Sequence, residues 1–90
     1  MGLPAARIGD TYAMHTDMIL TGSPNVLVNG RGIHRVMDIF MCPIVGIGMT
    51  VMGSQTVKVN NQFAARVMGV GICAGQNLIA TGSQDVSIGG

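Results

Sequence analysis

Two short phrases recur three times along this 90-residue chain, and they are out of phase with one another. The first is Leu3-Pro-Ala-Ala-Arg-Ile-Gly-Asp10, repeated as Gly32-Ile-His-Arg-Val-Met-Asp38 and Phe63-Ala-Ala-Arg-Val-Met-Gly69. Its arginines, Arg7, Arg35 and Arg66, are 28 and 31 residues apart. The second is Gly22-Ser-Pro-Asn-Val-Leu-Val-Asn-Gly30, repeated as Gly53-Ser-Gln-Thr-Val-Lys-Val-Asn-Asn61 and Gly82-Ser-Gln-Asp-Val-Ser-Ile-Gly-Gly90, its first glycines 31 and 29 residues apart. Self-similarity at one period marks a repeat architecture, in which each unit completes its neighbours.

One unit reads as a β-hairpin. Asn25 to Val28 is rich in β-formers, Asn29-Gly30 is the pair favoured in a type I′ turn, and Ile33 to Val36 returns. Asn60-Asn61 takes the turn in the next unit. A Gly-rich excursion then leads to the following hairpin. The chain begins on a return strand, Ala5 to Ile8, and ends on an outgoing one, Asp85 to Ile88. Unpaired strand edges invite association, so the expected solution pairs the two termini. The fold predicted is all-β: a small domain of three pseudo-threefold β-hairpin repeats, closed into a ring by its own ends, with residues 1–90 forming a single domain.

A domain of this size buries only about two-thirds of its unfolded surface, so its core alone is marginal, and small folds commonly add a metal, disulfides or a partner. With one Tyr, two Phe and no Trp, large rings are not expected to make up the difference. The excursions carry three candidate metal ligands: His15 after Arg7, Cys42 after Arg35 and Cys73 after Arg66, at offsets of 8, 7 and 7. Threefold closure would bring them to one end of the axis. A histidine and two thiolates suit structural zinc and also accept iron. Each residue alone has an ordinary reading, since cysteine is often a small buried apolar residue; their shared station in the repeat is what argues for a site. Structural zinc takes four ligands, and the fourth is open among His34, Asp17, water and a backbone carbonyl. Two widely separated cysteines and no visible signal peptide point to thiols rather than a disulfide.

Net charge is +1, from five basic and four acidic residues, none of them Glu. No basic run or aromatic series offers a nucleic-acid surface, and no motif positions a nucleophile, acid and base. The uncharged stretch from Ile39 to Val57 is broken by Pro43, three glycines and several polar residues, and is read as non-spanning. Within it, Ile44, Val45, Ile47 and Val51 are expected to fill the core, the alternative being that part of this loop is exposed near one end.

The repeated phrases, over essentially the whole chain, resemble those of the PAAR-repeat proteins. That resemblance implies a small β-rich cone. Its base docks on a trimeric β-helical spike of a contractile injection machine, and its point carries zinc. It implies one monomer per spike trimer, a structural cap rather than an enzyme, and transient contact with a target membrane. Assembly would be in the cytoplasm, onto a phage tail or a type VI secretion apparatus, followed by ejection. An adaptor for effectors and a small metal-dependent enzyme are the competing functions. The last repeat runs to Gly90, so no appended toxin is expected. The family's usual ligands are three His and one Cys. His15 and Cys73 stand at matching positions, and Cys42-Pro43 matches the middle-loop Cys-Pro. Val45 occupies the place of a ligand histidine, which leaves Cys42 as the candidate there. Arg7, Arg35 and Arg66 have two readings, spike contact or ion pairing with nearby aspartates.

Overall fold

A computed structural model describes residues 2–14 and 16–89. Its strands are β1 (Leu3–Pro4), β2 (Leu27–Val28), β3 (Arg31–Gly32), β4 (Ile39–Cys42), β5 (Gly46–Met52), β6 (Lys58–Val59), β7 (Gln62–Phe63), β8 (Val70–Ile72), β9 (Gln76–Leu78) and β10 (Ser87–Ile88). There is no helix among the described residues, hence none long and apolar enough to cross a membrane. The fold is all-β, as the repeats predict.

Three two-stranded hairpins form a collar. β2 pairs with β3 and β6 with β7, both antiparallel. The third hairpin joins the chain ends: β1 pairs with β10, Leu3 opposite Ile88 and Pro4 opposite Ser87. Type I′ turns need positive φ at both central residues. Asn29 and Gly30 have φ of 54° and 79°, and Asn60 and Asn61 have 53° and 67°. Asparagine tolerates this left-handed region better than most side chains. At the centre, three backbone hydrogen bonds close a ring around the pseudo-threefold axis. The Ala6 N–H donates to Ala65 O (3.1 Å), that of Ala65 to His34 O (2.8 Å) and that of His34 to Ala6 O (2.9 Å).

The Gly-Ser pairs that open the second phrase explain themselves here. Ser23, Ser54 and Ser83 donate their N–H groups to the carbonyls of Ile33, Ala64 and Ala5, each at 2.8 Å. Their hydroxyls accept the N–H groups of Val26, Val57 and Val86 at 2.8–3.0 Å, fixing the turn into the outgoing strand. The preceding glycines allow this approach. A Cβ on Gly53 would lie 2.4 Å from Ala64 O, and one on Gly82 would lie 2.6 Å from Ala5 O.

Beyond the collar the excursions form three longer hairpins. β4-β5-β8-β9 is one antiparallel sheet, and the first excursion joins its two edges through bridges of Ile19 to Phe40 and Tyr12 to Ile79. The result is a closed three-walled prism without a free edge among the described residues, the arrangement that removes the edge liability.

Both cores are built from residues at equivalent stations of the repeats. The collar is filled by Val28, Val59 and Ile88 with Ala5, Ile33 and Ala64. The prism holds Ala6, Tyr12, Ile19, Phe40, Cys42, Ala65, Cys73 and Ile79. Here two expectations are corrected. Large rings do supply burial: Tyr12 and Phe40 are buried and stacked, centroids 4.1 Å apart. They occupy equivalent stations, five residues after Arg7 and Arg35; the third such station is Gly71. A Cβ on Gly71 would sit 2.5 Å from Phe40 Cε1 and 2.7 Å from the Tyr12 hydroxyl oxygen, so two rings fill the space of three side chains. With the prism filled this way, Ile44, Val45, Ile47 and Val51 do not fill the core. They point outward, Ile44 and Val45 being 58% and 59% exposed.

Candidate metal centre

The arginine of each first phrase turns back on its own repeat. Arg7 Nε donates to Asp10 Oδ2 at 2.9 Å and Arg35 Nε to Asp38 Oδ2 at 2.8 Å. In each case the neighbouring Nη2 donates to Oδ1 of the same carboxylate at 3.0 Å. Burial would raise the pKa of Asp38, but the hydrogen bonds and charge of Arg35 outweigh it and hold the carboxyl below its ordinary value. The third repeat has Gly69 in place of the aspartate, and Arg66 donates instead to Ile88 O at 3.2 Å. Two of the three arginines are therefore ion-paired.

His34 does not approach the excursion tips. It replaces the alanine of the other two repeats, and it is completely buried. Its Nδ1 lies 2.8 Å from Thr21 O and its Nε2 2.5 Å from Thr50 Oγ1, which in turn lies 2.5 Å from the Tyr12 hydroxyl. Burial pushes its imidazole below the ordinary range, against the Thr21 carbonyl, which pulls the other way. Burial likewise pushes the Tyr12 phenol up to about 12. Thr50 departs from Ile19 and Ile79 at the same station, each three residues before the next repeat's glycine. The two polar residues of the middle repeat, His34 and Thr50, thus satisfy one another. With both ring nitrogens engaged, His34 is not available as a fourth ligand.

The far end of the prism gathers the tips. Cys42 closes β4 opposite Gly46, and Cys73 follows β8, its N–H donating to Gly75 O. Their Cα atoms are 6.0 Å apart and the sulfurs are bonded as a disulfide, which corrects the expectation of two separate thiols. Their separation of 31 positions is one repeat, so distance along the chain says nothing of distance in space. Asp17 joins them: its carboxylate oxygen and the two sulfurs lie within 4.8 Å of one another, all three residues buried. His15 lies outside the described residues.

The donors fit a metal ion when the cysteines are reduced. Two thiolates on one tetrahedral ion, each at about 2.3 Å, stand roughly 3.8 Å apart, so the bonded sulfurs must separate on reduction before they can share an ion. Asp17 supplies an independent indication. It is 2% exposed, its Oδ2 accepts from Asn77 Nδ2 at 3.2 Å, and its Oδ1 has no hydrogen-bond partner among the described residues. Buried polar atoms are nearly always satisfied, and this carboxylate stands beside the sulfurs.

Asp17 was one of several possible fourth ligands from sequence, and Asn77 was not singled out. Counting forward from each arginine finds the cysteines. Counting back five residues from Gly22, Gly53 and Gly82 finds Asp17, Gly48 and Asn77 at one station of the return strand.

Among curated proteins, none matches the chain. The PAAR motif matches it over residues 14–75, more than half its length. The repeated phrases, the ring closed by the termini and this match agree: the chain belongs to the PAAR motif family.

Proposed function

We propose that residues 1–90 form one domain that caps the blunt end of a trimeric β-helical spike in a contractile injection machine. One chain serves each trimer, and a metal ion lies near the point. The observation that carries this is the closed hydrogen-bonded ring of Ala6, His34 and Ala65. It gives a single chain three similar faces, and a homotrimer presents three identical ones. A cap of this kind needs no second or third copy, whereas an asymmetric monomer would match only one of three sites.

His15, Cys42 and Cys73 are the residues we assign to the metal, zinc or iron by donor chemistry, with Asp17 beside them. Bound there, the ion ties the tips of the excursions together, and structural zinc of this kind contributes on the order of 10 kcal/mol to folding. The exposed Ile44, Val45 and Ile47 follow Cys42 and offer an apolar surface at the same end. Transferring such atoms toward a bilayer is favourable by roughly 25 cal/mol per Å². The role is structural and not catalytic. Assembly takes place in the cytoplasm, on a phage tail or secretion apparatus, and the cap leaves with the spike. Light scattering of the domain mixed with a trimeric β-helical spike should give one chain per trimer. Three chains per trimer would contradict the proposal.

A further inference from the structure

We propose that Asp17 binds the metal directly through Oδ1, and that Asn77 is the residue that positions it; this rests on the metal-bound point described above. The starting observation is an unsatisfied acceptor. Asp17 is almost wholly buried, and its Oδ1 has no donor among the described residues, an arrangement that costs the full desolvation of that oxygen unless something else meets it. What stands within reach is the pair of cysteine sulfurs. A disulfide donates nothing to a carboxylate. A cation between thiolates and carboxylate satisfies all three.

Asn77 fixes which oxygen is presented. Its Oδ1 accepts the backbone N–H of Met14 at 2.9 Å and that of Leu78 at 3.0 Å. Both are donors, so the carboxamide cannot be flipped without placing N–H against N–H. Its Nδ2 is thereby turned to Met14 O and to Asp17 Oδ2, each at 3.2 Å. Oδ2 is occupied, and Oδ1 is the oxygen left over on a carboxylate that stands beside the two sulfurs. Metal ligands are commonly oriented in this way by a neighbour that does not itself touch the ion. The hydrogen bond also draws negative charge from a donor set that already holds two thiolates.

The pseudo-symmetry accounts for the number of such groups. The station shared by Asp17, Gly48 and Asn77 faces the interior in all three walls, opposite Tyr12, Phe40 and Gly71. Gly48 is required bare, because a Cβ there would lie 2.4 Å from Phe40 Cζ. One wall therefore supplies the oxygen, one its orienting amide and one the room for a ring.

The test uses the full chain with its cysteines reduced, titrated with Co²⁺ as a visible probe and back-titrated with Zn²⁺. Wild type should bind one ion with thiolate-to-cobalt absorption. Asp17→Asn, and Asp17→Ser as a second variant, should weaken binding by more than the roughly 10–100-fold expected for loss of an orienting neighbour. Asn77→Ala should fall inside that range, with its thiolate-to-cobalt absorption unchanged at saturation. Melting adds a readout of sign. With chelator, Asp17→Asn should melt at or above wild type, having lost a buried orphan carboxylate; with metal it should melt below. Unchanged metal affinity in both Asp17 variants overturns the assignment and leaves the metal-bound point standing. An equal drop in melting with and without metal also overturns it, because Asp17 is then structural. If reduced wild type binds no ion, the metal-bound point itself falls, and this proposal with it.

Discussion

Acidification from pH 7 to pH 5 should destabilise the domain through His34, and the hydrogen-bond chain says why. Thr21 O is a carbonyl and can only accept, so His34 Nδ1 carries the proton and Nε2 must accept from the Thr50 hydroxyl. Thr50 Oγ1 then accepts from the Tyr12 hydroxyl. Every donor has an acceptor, in one direction only. A second proton, on Nε2, reverses the chain: Thr50 turns its hydrogen toward Tyr12, and the buried phenol hydrogen is stranded. Protonation thus buries a charge and also orphans a donor.

The folded pKa of His34 is lowered, so the folded state binds fewer protons than the unfolded one below about pH 6.5. Its stabilising effect is present above the unfolded pKa and is lost as pH falls toward the folded value. If the folded imidazole stays neutral throughout, the loss between pH 7 and 5 reaches about 1.9 kcal/mol, the ceiling set by the unfolded histidine. For a domain of this size that is roughly 8–15 °C in melting temperature. The assay is thermal unfolding in chelator at a series of pH values, comparing wild type with the triple variant His34→Ala, Thr50→Ile, Tyr12→Phe. Each substitution installs the residue that an equivalent repeat already carries, and groups shared by both proteins, His15 included, cancel in the difference. Equal pH slopes in the two proteins would refute the reasoning.

Met37 and Met68 hold φ of 83° and 76° at the station where Gly9 has 94°; both are exposed. Replacing either with Gly should stabilise the domain by about 0.5–1 kcal/mol net, left-handed strain relieved less the added entropy of the unfolded chain, read from urea unfolding. The double variant Ile44→Ser, Ile47→Ser should unfold within about 0.5 kcal/mol of wild type, because both side chains face solvent. Delivery by the assembled machine should nevertheless fall; unchanged delivery would remove the apolar point from the mechanism.

The parts of this fold legible in the sequence are those in which the repeats agree. The Gly-Ser entry recurs three times and the Asn-Gly and Asn-Asn turns twice, and the pairing of the termini follows as the third hairpin, so each copy corroborates the others. The interior was legible only in part, because there the copies must differ. Three identical large side chains cannot meet on an axis, so Tyr12 and Phe40 are answered by Gly71, and one wall gives up a side chain at Gly48 to admit a ring. The excursions also differ in length, 15, 18 and 16 residues from arginine to glycine, and the difference is taken up at the tips. Counting from the arginines alone therefore aligns the outgoing strands, finding Cys42 and Cys73, and loses register before the return strands. The partners of that site, Asp17 and Asn77, come into line only when counted back from the glycines. A symmetric exterior with an interior that breaks the symmetry is what the proposed role would require: the docking faces must be alike, while a single ion needs one set of donors and not three.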